Sequence, residues 1–246
     1  MWLLYPLIFL SGFVDAIAGG GGIISLTSYL AVGLPAHLAL GTNKFSAFLG
    51  TGISMGRFAR KGHIRWDAAA VSFLGALGGS SLGATLSLYV SERVLVYIML
   101  LVLPVIAALF LRGKGFTVRE ASLPRLQTLA LALLIGFALG GYDGFFGPGT
   151  GTFLIMAFTA ILGFDVLTAC GNAKAVNFAS NIAAAITFIL NGQVLYSLGI
   201  PCALCAIAGQ YLGAGLAMKK GVGIVRPMVI VVIMLLLTKI VYDLLA

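Results

Sequence analysis

The sequence predicts an all-α integral membrane protein: two inverted repeats of about 120 residues, each a Gly-rich broken or re-entrant helical hairpin plus three transmembrane helices. Three observations predict it: a composition too apolar for a soluble fold, a self-similarity at constant offset, and basic loops that change place between the halves.

Of 246 residues, 61% are hydrophobic and 9% charged, against about 25% charged in soluble domains. The longest polar stretch, 112–125, has only loop length. The chain therefore reads as a single transmembrane domain over 1–246, with repeat 1 at 1–112, repeat 2 at 124–246 and a cytoplasmic linker at 113–123. The net charge of +8 sits in short loops between apolar spans. That is the positive-inside pattern, not a nucleic-acid surface.

Ten apolar segments follow in order, bounded by Gly, Pro or charge. The first, 2–18, has no basic n-region and reads as a membrane helix instead of a removable signal. It ends in DAIAGGGG, Asp15 to Gly22. Segment 23–33 would rise only about 16 Å, so it reads as a half-helix. Segments 38–58, 66–90 and 94–111 complete the first half, each near the roughly 20 residues of a span. The second half repeats the order: 126–142, the break DGFFGPGTG from Asp143 to Gly151, a half-helix at 152–163, then 168–190, 196–218 and 226–245.

A shift of 130 superimposes Gly19 on Gly149, Gly21 on Gly151, Gly33 on Gly163, Gly41 on Gly171, Lys44 on Lys174 and Gly62 on Gly192. The aspartates align at 128, through a two-residue gap. Arg57, Arg60, Lys61 and Arg65 surround a loop whose partner at 191–194 has no charge, whereas Lys219, Lys220 and Arg226 fall where the first half has Glu92 and Arg93. Equivalent loops thus face opposite sides. With the linker, 11 of the 15 basic residues fall on one side, read as cytoplasmic, with both termini outside. Gly52 with Gly56, Gly79 with Gly83, and Gly209 with Gly213 read as small-xxx-small packing ridges.

A broken helix at membrane depth is tolerated where protein buries it or where it lines a polar cavity, so the two breaks are the expected functional centre. Gly19, Gly20, Gly21 and Gly22 in the first, and Gly147, Gly149, Thr150 and Gly151 in the second, offer backbone amides at helix starts that attract anions. Beside them stand Thr42, Asn43 and Lys44, with Asn172, Lys174, Asn177 and Asn181 on the equivalent helix. Many donors and few counter-charges suit a compact oxoanion. Two duller roles stay open: a lysine paired with Asp15 or Asp143, and asparagines bonding helix to helix. Asp15 and Asp143 either cap a helix start or carry a coupled proton.

Cys170, Cys202 and Cys205 lie in apolar segments and read as small buried hydrophobes. No metal or cofactor is expected, and GxSxG, HExxH and the P-loop are absent, so the sequence does not read as an enzyme.

The stretch from Gly12 to Lys44, with GFFGPGTGTFL from Gly144 to Leu154 and GNAKAVNFASN from Gly171 to Asn181, closely resembles the paired signatures of the TauE/SafE family of sulfite exporters and toluenesulfonate permeases. The resemblance covers nearly the whole chain. It implies an inner-membrane permease for sulfur-containing anions, with proton or potential coupling, and implies that the two breaks, the GTNK motif and the 171–181 stripe bind substrate. A secondary transporter is the leading expectation and an anion channel its alternative. Exact substrate, direction, coupling ion and oligomeric state, a homodimer included, stay open.

Overall fold

The computed structural model describes residues 2–91, 94, 97, 123–221, 223, 224 and 228, and every regular element among them is an α-helix. The predicted segments 94–111 and 226–245 lie almost wholly outside these residues. Helices α1 (Leu4–Ala18) and α2 (Gly21–Ala31) form a first hairpin, followed by α3 (Ala36–Arg60) and α4 (Trp66–Tyr89). Helices α5 (Arg125–Phe145) and α6 (Thr150–Ala160) form a second, followed by α7 (Val166–Leu190) and α8 (Tyr196–Lys220).

The offset of 130 reappears in the backbone. Helices α3 and α7 start and stop at equivalent positions, and α2 and α6 are both 11 residues long. Gly19 and Gly149, Gly33 and Gly163, and Gly62 and Gly192 all have positive φ. Side chains rarely adopt that conformation, so glycine is what lets the chain turn at each of these helix boundaries.

Helices α4, α5, α7 and α8 are long and apolar enough to cross a membrane, whereas α1, α2 and α6 are shorter. Leu74, Leu82 and Leu86 on α4, Leu126 and Leu134 on α5, and Leu204 and Leu212 on α8 point outward, as a lipid-facing surface requires.

Packing between the halves is reciprocal. Helix α4 lies against α5, and α8 against α1. A Cβ on Gly79 would lie 2.1 Å from the Phe137 carbonyl oxygen, and one on its equivalent Gly209 would lie 2.1 Å from that of Phe9. One turn on, Gly83 meets Gly141 and Gly213 meets Phe13. The register advances in the same direction along both partners, so each pair runs parallel. Helices α3 and α7 run antiparallel: Gly41 near the start of α3 faces Gln193 beyond the end of α7, Gly171 faces His63, and Gly52 meets Phe178 midway.

The ridges at Gly79, Gly83, Gly209 and Gly213 therefore do pack helices. Gly56 has nothing near it, so its spacing alone was uninformative. Helix α7 is central: its alanines and Gly171 let neighbours approach on several sides, and most of its residues are buried.

Candidate functional site

Helix α1 ends at Gly19, whose N–H bonds back to the Asp15 carbonyl, and α2 starts two residues later. Ser11 Oγ donates to the Gly21 carbonyl (2.7 Å) and ties the two arms together. In the second hairpin Gly147 and Gly149 take positive φ, and Thr150 Oγ1 donates to the Gly147 carbonyl at 2.7 Å. The tips touch. Thr152 N–H donates to the Gly19 carbonyl (3.3 Å), Thr152 Oγ1 donates to that of Ala18 (2.7 Å), and a Cβ on Gly19 would fall 2.1 Å from the Gly151 backbone.

Beside this contact lies a cavity of about 50 Å³, room for roughly three to five waters. Eleven of the sequence-predicted site residues line it: Asp15, Gly19, Gly22, Asn43, Lys44, Asp143, Gly147, Thr150, Gly151, Asn177 and Asn181. Gly20, Gly21, Thr42, Gly149, Asn172 and Lys174 do not. Gly21 is packed on Ser11 and Asp15, and Thr42 Oγ1 accepts the Leu195 N–H at 3.0 Å. Asn172 Nδ2 donates within its own helix to the Thr168 carbonyl. Ser11, Ser25, Ser46 and Gln210 also line the cavity and carry no signal at repeat spacing in the sequence.

The expectation of few counter-charges is overturned. Lys44 Nζ lies 2.8 Å from Asp143 Oδ2, and Lys174 Nζ lies 2.7 Å from Asp15 Oδ2. A buried ammonium without a partner would be costly by several kcal/mol, and each lysine meets that demand across the repeat boundary. Neither aspartate caps a helix start: Gly20 and Gly149 hold those positions, and both carboxylates face lysines instead.

The two pairs are not alike. Lys174 also donates to the Asp15 backbone carbonyl, and Gln210 Nε2 donates to Asp15 Oδ2 at 2.7 Å. Lys174 therefore sits at the carbonyl end of α1, where a cation is favoured. Asp143 takes its second donor from Ser180 Oγ. Asn177 Oδ1 and Gln210 Oε1, both on cavity-lining residues, are buried without a hydrogen-bond partner among the described residues. Buried polar atoms of this kind are normally satisfied by water or ligand.

Apolar helices long enough to cross a bilayer, arranged round a small polar cavity at two touching helix breaks, define a multi-pass membrane protein of the transporter class. The family described as Sulfite exporter TauE/SafE matches residues 4–240, and the chain belongs to it. It is 37% identical over 245 residues to a probable membrane transporter protein of Haemophilus influenzae, covering 98% of this chain and 94% of that one. A probable membrane transporter protein of a Sinorhizobium species is 37% identical over 243 residues, covering 98% and 92%. The probable membrane transporter protein YfcA of Escherichia coli K12 is 33% identical over 241 residues, covering 98% and 89%. No solved structure matches the chain.

Proposed function

We propose that the chain is a secondary transporter of small sulfur-containing or related oxoanions across the cytoplasmic membrane. The substrate is held where the two helix breaks meet. The observation that carries this reading is the convergence, on one cavity, of Lys44, the Asn177 and Asn181 amides, and the starts of α2 and α6 at Gly22, Thr150 and Gly151. Helix starts and amide donors favour an anion. Gly20, Gly21, Gly149 and Lys174 act in this reading by shaping and holding the breaks, whereas Thr42 fastens the start of α8 and Asn172 bonds within α7.

We read the architecture as two inverted repeats whose Gly-rich hairpins enter from opposite faces. The antiparallel course of α3 and α7 and the reciprocal glycine contacts support that reading. Orientation follows the basic loops, with 57–65 cytoplasmic and the termini outside. The family's name favours export. An inside-negative potential assists it, by about 2.3 kcal/mol per charge per 100 mV. Asp15 and Asp143 are the carboxyls available for coupling to protons in the opposite direction.

The test is flux of sulfite, thiosulfate and methanesulfonate into liposomes holding the purified protein alone. Saturation and acceleration by trans substrate are expected. Ohmic single-channel currents would mean a channel, and absence of any flux would sink the reading. Lys44→Met is expected to weaken anion affinity more than tenfold, about 1.4 kcal/mol.

A further inference from the structure

We propose that the two lysine–aspartate pairs have divided their labour, and that Lys44–Asp143 is an exchangeable latch in which a proton on Asp143 frees Lys44 for the transported anion. Lys174–Asp15 is in this view a fixed structural tie. The proposal rests on the anion-transporter reading and adds to it which pair works and with what stoichiometry.

Three observations separate the pairs. Lys174 is fully buried, does not line the cavity, and donates to both a carboxylate and a backbone carbonyl of Asp15. Lys44 lines the cavity, and its ion-pair partner among the described residues is Asp143 alone. Lastly, a glycine backbone is laid directly over the Lys44 pair: Gly147 has φ +102, and a Cβ there would lie 2.9 Å from Lys44 Nζ and 3.1 Å from Asp143 Oδ1. A side chain at 147 would fill that space, and glycine keeps it open to the cavity. At the other pair Gly21 lies against the Asp15 Cβ, and Gly19, four residues after Asp15 as Gly147 is after Asp143, is packed on the Gly151 backbone.

The exchange balances. An entering monoanion and one proton convert the ionised pair into a neutral Asp143 carboxyl and an ammonium–anion pair, so the net charge of the cavity does not change. Asp143 stays held afterwards, since Ser180 Oγ is its neighbour whether the carboxyl accepts or donates. Among the described residues, Lys44 is the ion-pair partner of Asp143. Helix α4 carries only Asp67 in its first turn, and α6 carries no charge. Helix α7 brings Lys174, already tied to Asp15, and the distant Asp165 at its start. Helix α3 has Arg57 and Arg60 in its last turn, and α5 itself has Arg125 at the opposite end with the titratable Tyr142 adjacent, its hydroxyl donating to the Pro148 carbonyl.

The experiment is calorimetric binding to the full-length purified protein between pH 5 and 8. The probes are methanesulfonate, sulfate and thiosulfate, whose charges stay fixed over that range. Wild-type affinity is expected to rise with falling pH, by up to about tenfold per unit for one linked proton. Asp143→Asn should bind tightly at every pH, matching the wild type at its most acidic point, so removal of an acid strengthens binding. Asp15→Asn should lower the melting temperature and keep the pH slope. Should Asp143→Asn fail to fold, the wild type in weak buffer decides: one proton is taken up per monoanion bound. Binding without proton uptake, a slope that persists in Asp143→Asn, or a slope lost only in Asp15→Asn overturns the latch while leaving the anion reading intact. No binding of any probe at any pH overturns both.

Discussion

Lys174 donates to the carboxylate and to the backbone carbonyl of Asp15, fastening the middle of α7 to the end of α1 across 159 positions of sequence. A neutral side chain at 174 strands a buried carboxylate. Lys174→Met is therefore expected to destabilise the protein by about 3–5 kcal/mol, read as a fall in melting temperature in detergent. Adding Asp15→Asn to it should recover most of the loss. If Lys174→Met melts like the wild type, the tie does not hold the fold.

The helix crossings at Gly79 and Gly209 leave no room for a Cβ beside the opposing carbonyls. Either glycine replaced by valine should lower stability by about 1–3 kcal/mol or more, with equal effect at the two positions if the halves pack alike. Gly56→Ala has open space and a helical backbone, so it should be neutral or stabilising by about 0.5–1 kcal/mol. Thermal denaturation of the three variants orders them, and a tolerant Gly79→Val would contradict the packing described.

Because α3 and α7 run antiparallel, Lys61 and Asn191 terminate equivalent helices at opposite ends of the bundle. Cysteines placed singly at 61 and 191 should react with an impermeant maleimide from opposite sides, Lys61→Cys only from the cytoplasm. Labelling of both from one side would remove the inverted arrangement.

Asp165 caps α7, its Oδ1 accepting from Leu167 N and Thr168 N at 3.1 Å each. Burial alone would raise its pKa, but the Thr168 and Leu167 bonds outweigh that and hold the carboxyl below its ordinary value. A carboxyl depressed on folding adds stability above its unfolded pKa, near 3.9, and loses it as pH falls through the folded one. The residue is largely solvent-exposed, so the amount is small. Asp165→Ala should lower stability by about 1 kcal/mol at neutral pH, with the gap to wild type closing below about pH 4. A gap that persists unchanged in acid would assign the effect to something other than the charge.

Much of this fold was legible because its signals are local. Breaks at four glycines, constant spacing and charge at helix ends placed the eight described helices within about three residues of where they lie. A lysine paired with Asp15 or Asp143 was one of the readings the sequence left open, but nothing in a one-dimensional pattern says which aspartate answers which lysine, or that Lys44 meets Asp143 99 positions away. For the same reason the sequence could not choose between cations free for an anion and cations tied to the aspartates. Gln210 and Ser180 were passed over because a single polar residue in an apolar helix has no period. For Gln210 a usable signal did exist, as an amide in the middle of α8 is expensive in hydrocarbon unless it has a partner.

The exchange of partners between the halves also constrains how the chain is made. Helix α1 is synthesised before α7, so its aspartate must wait for Lys174, and Lys44 must wait for Asp143. An intermediate ending before α5 leaves both Lys44 and Asp15 unanswered, and one ending before α7 still leaves Asp15 without its cation. A truncated product is thus marked as unfinished by its electrostatics, and half-chains expressed apart would be stable only when they find each other in the same membrane.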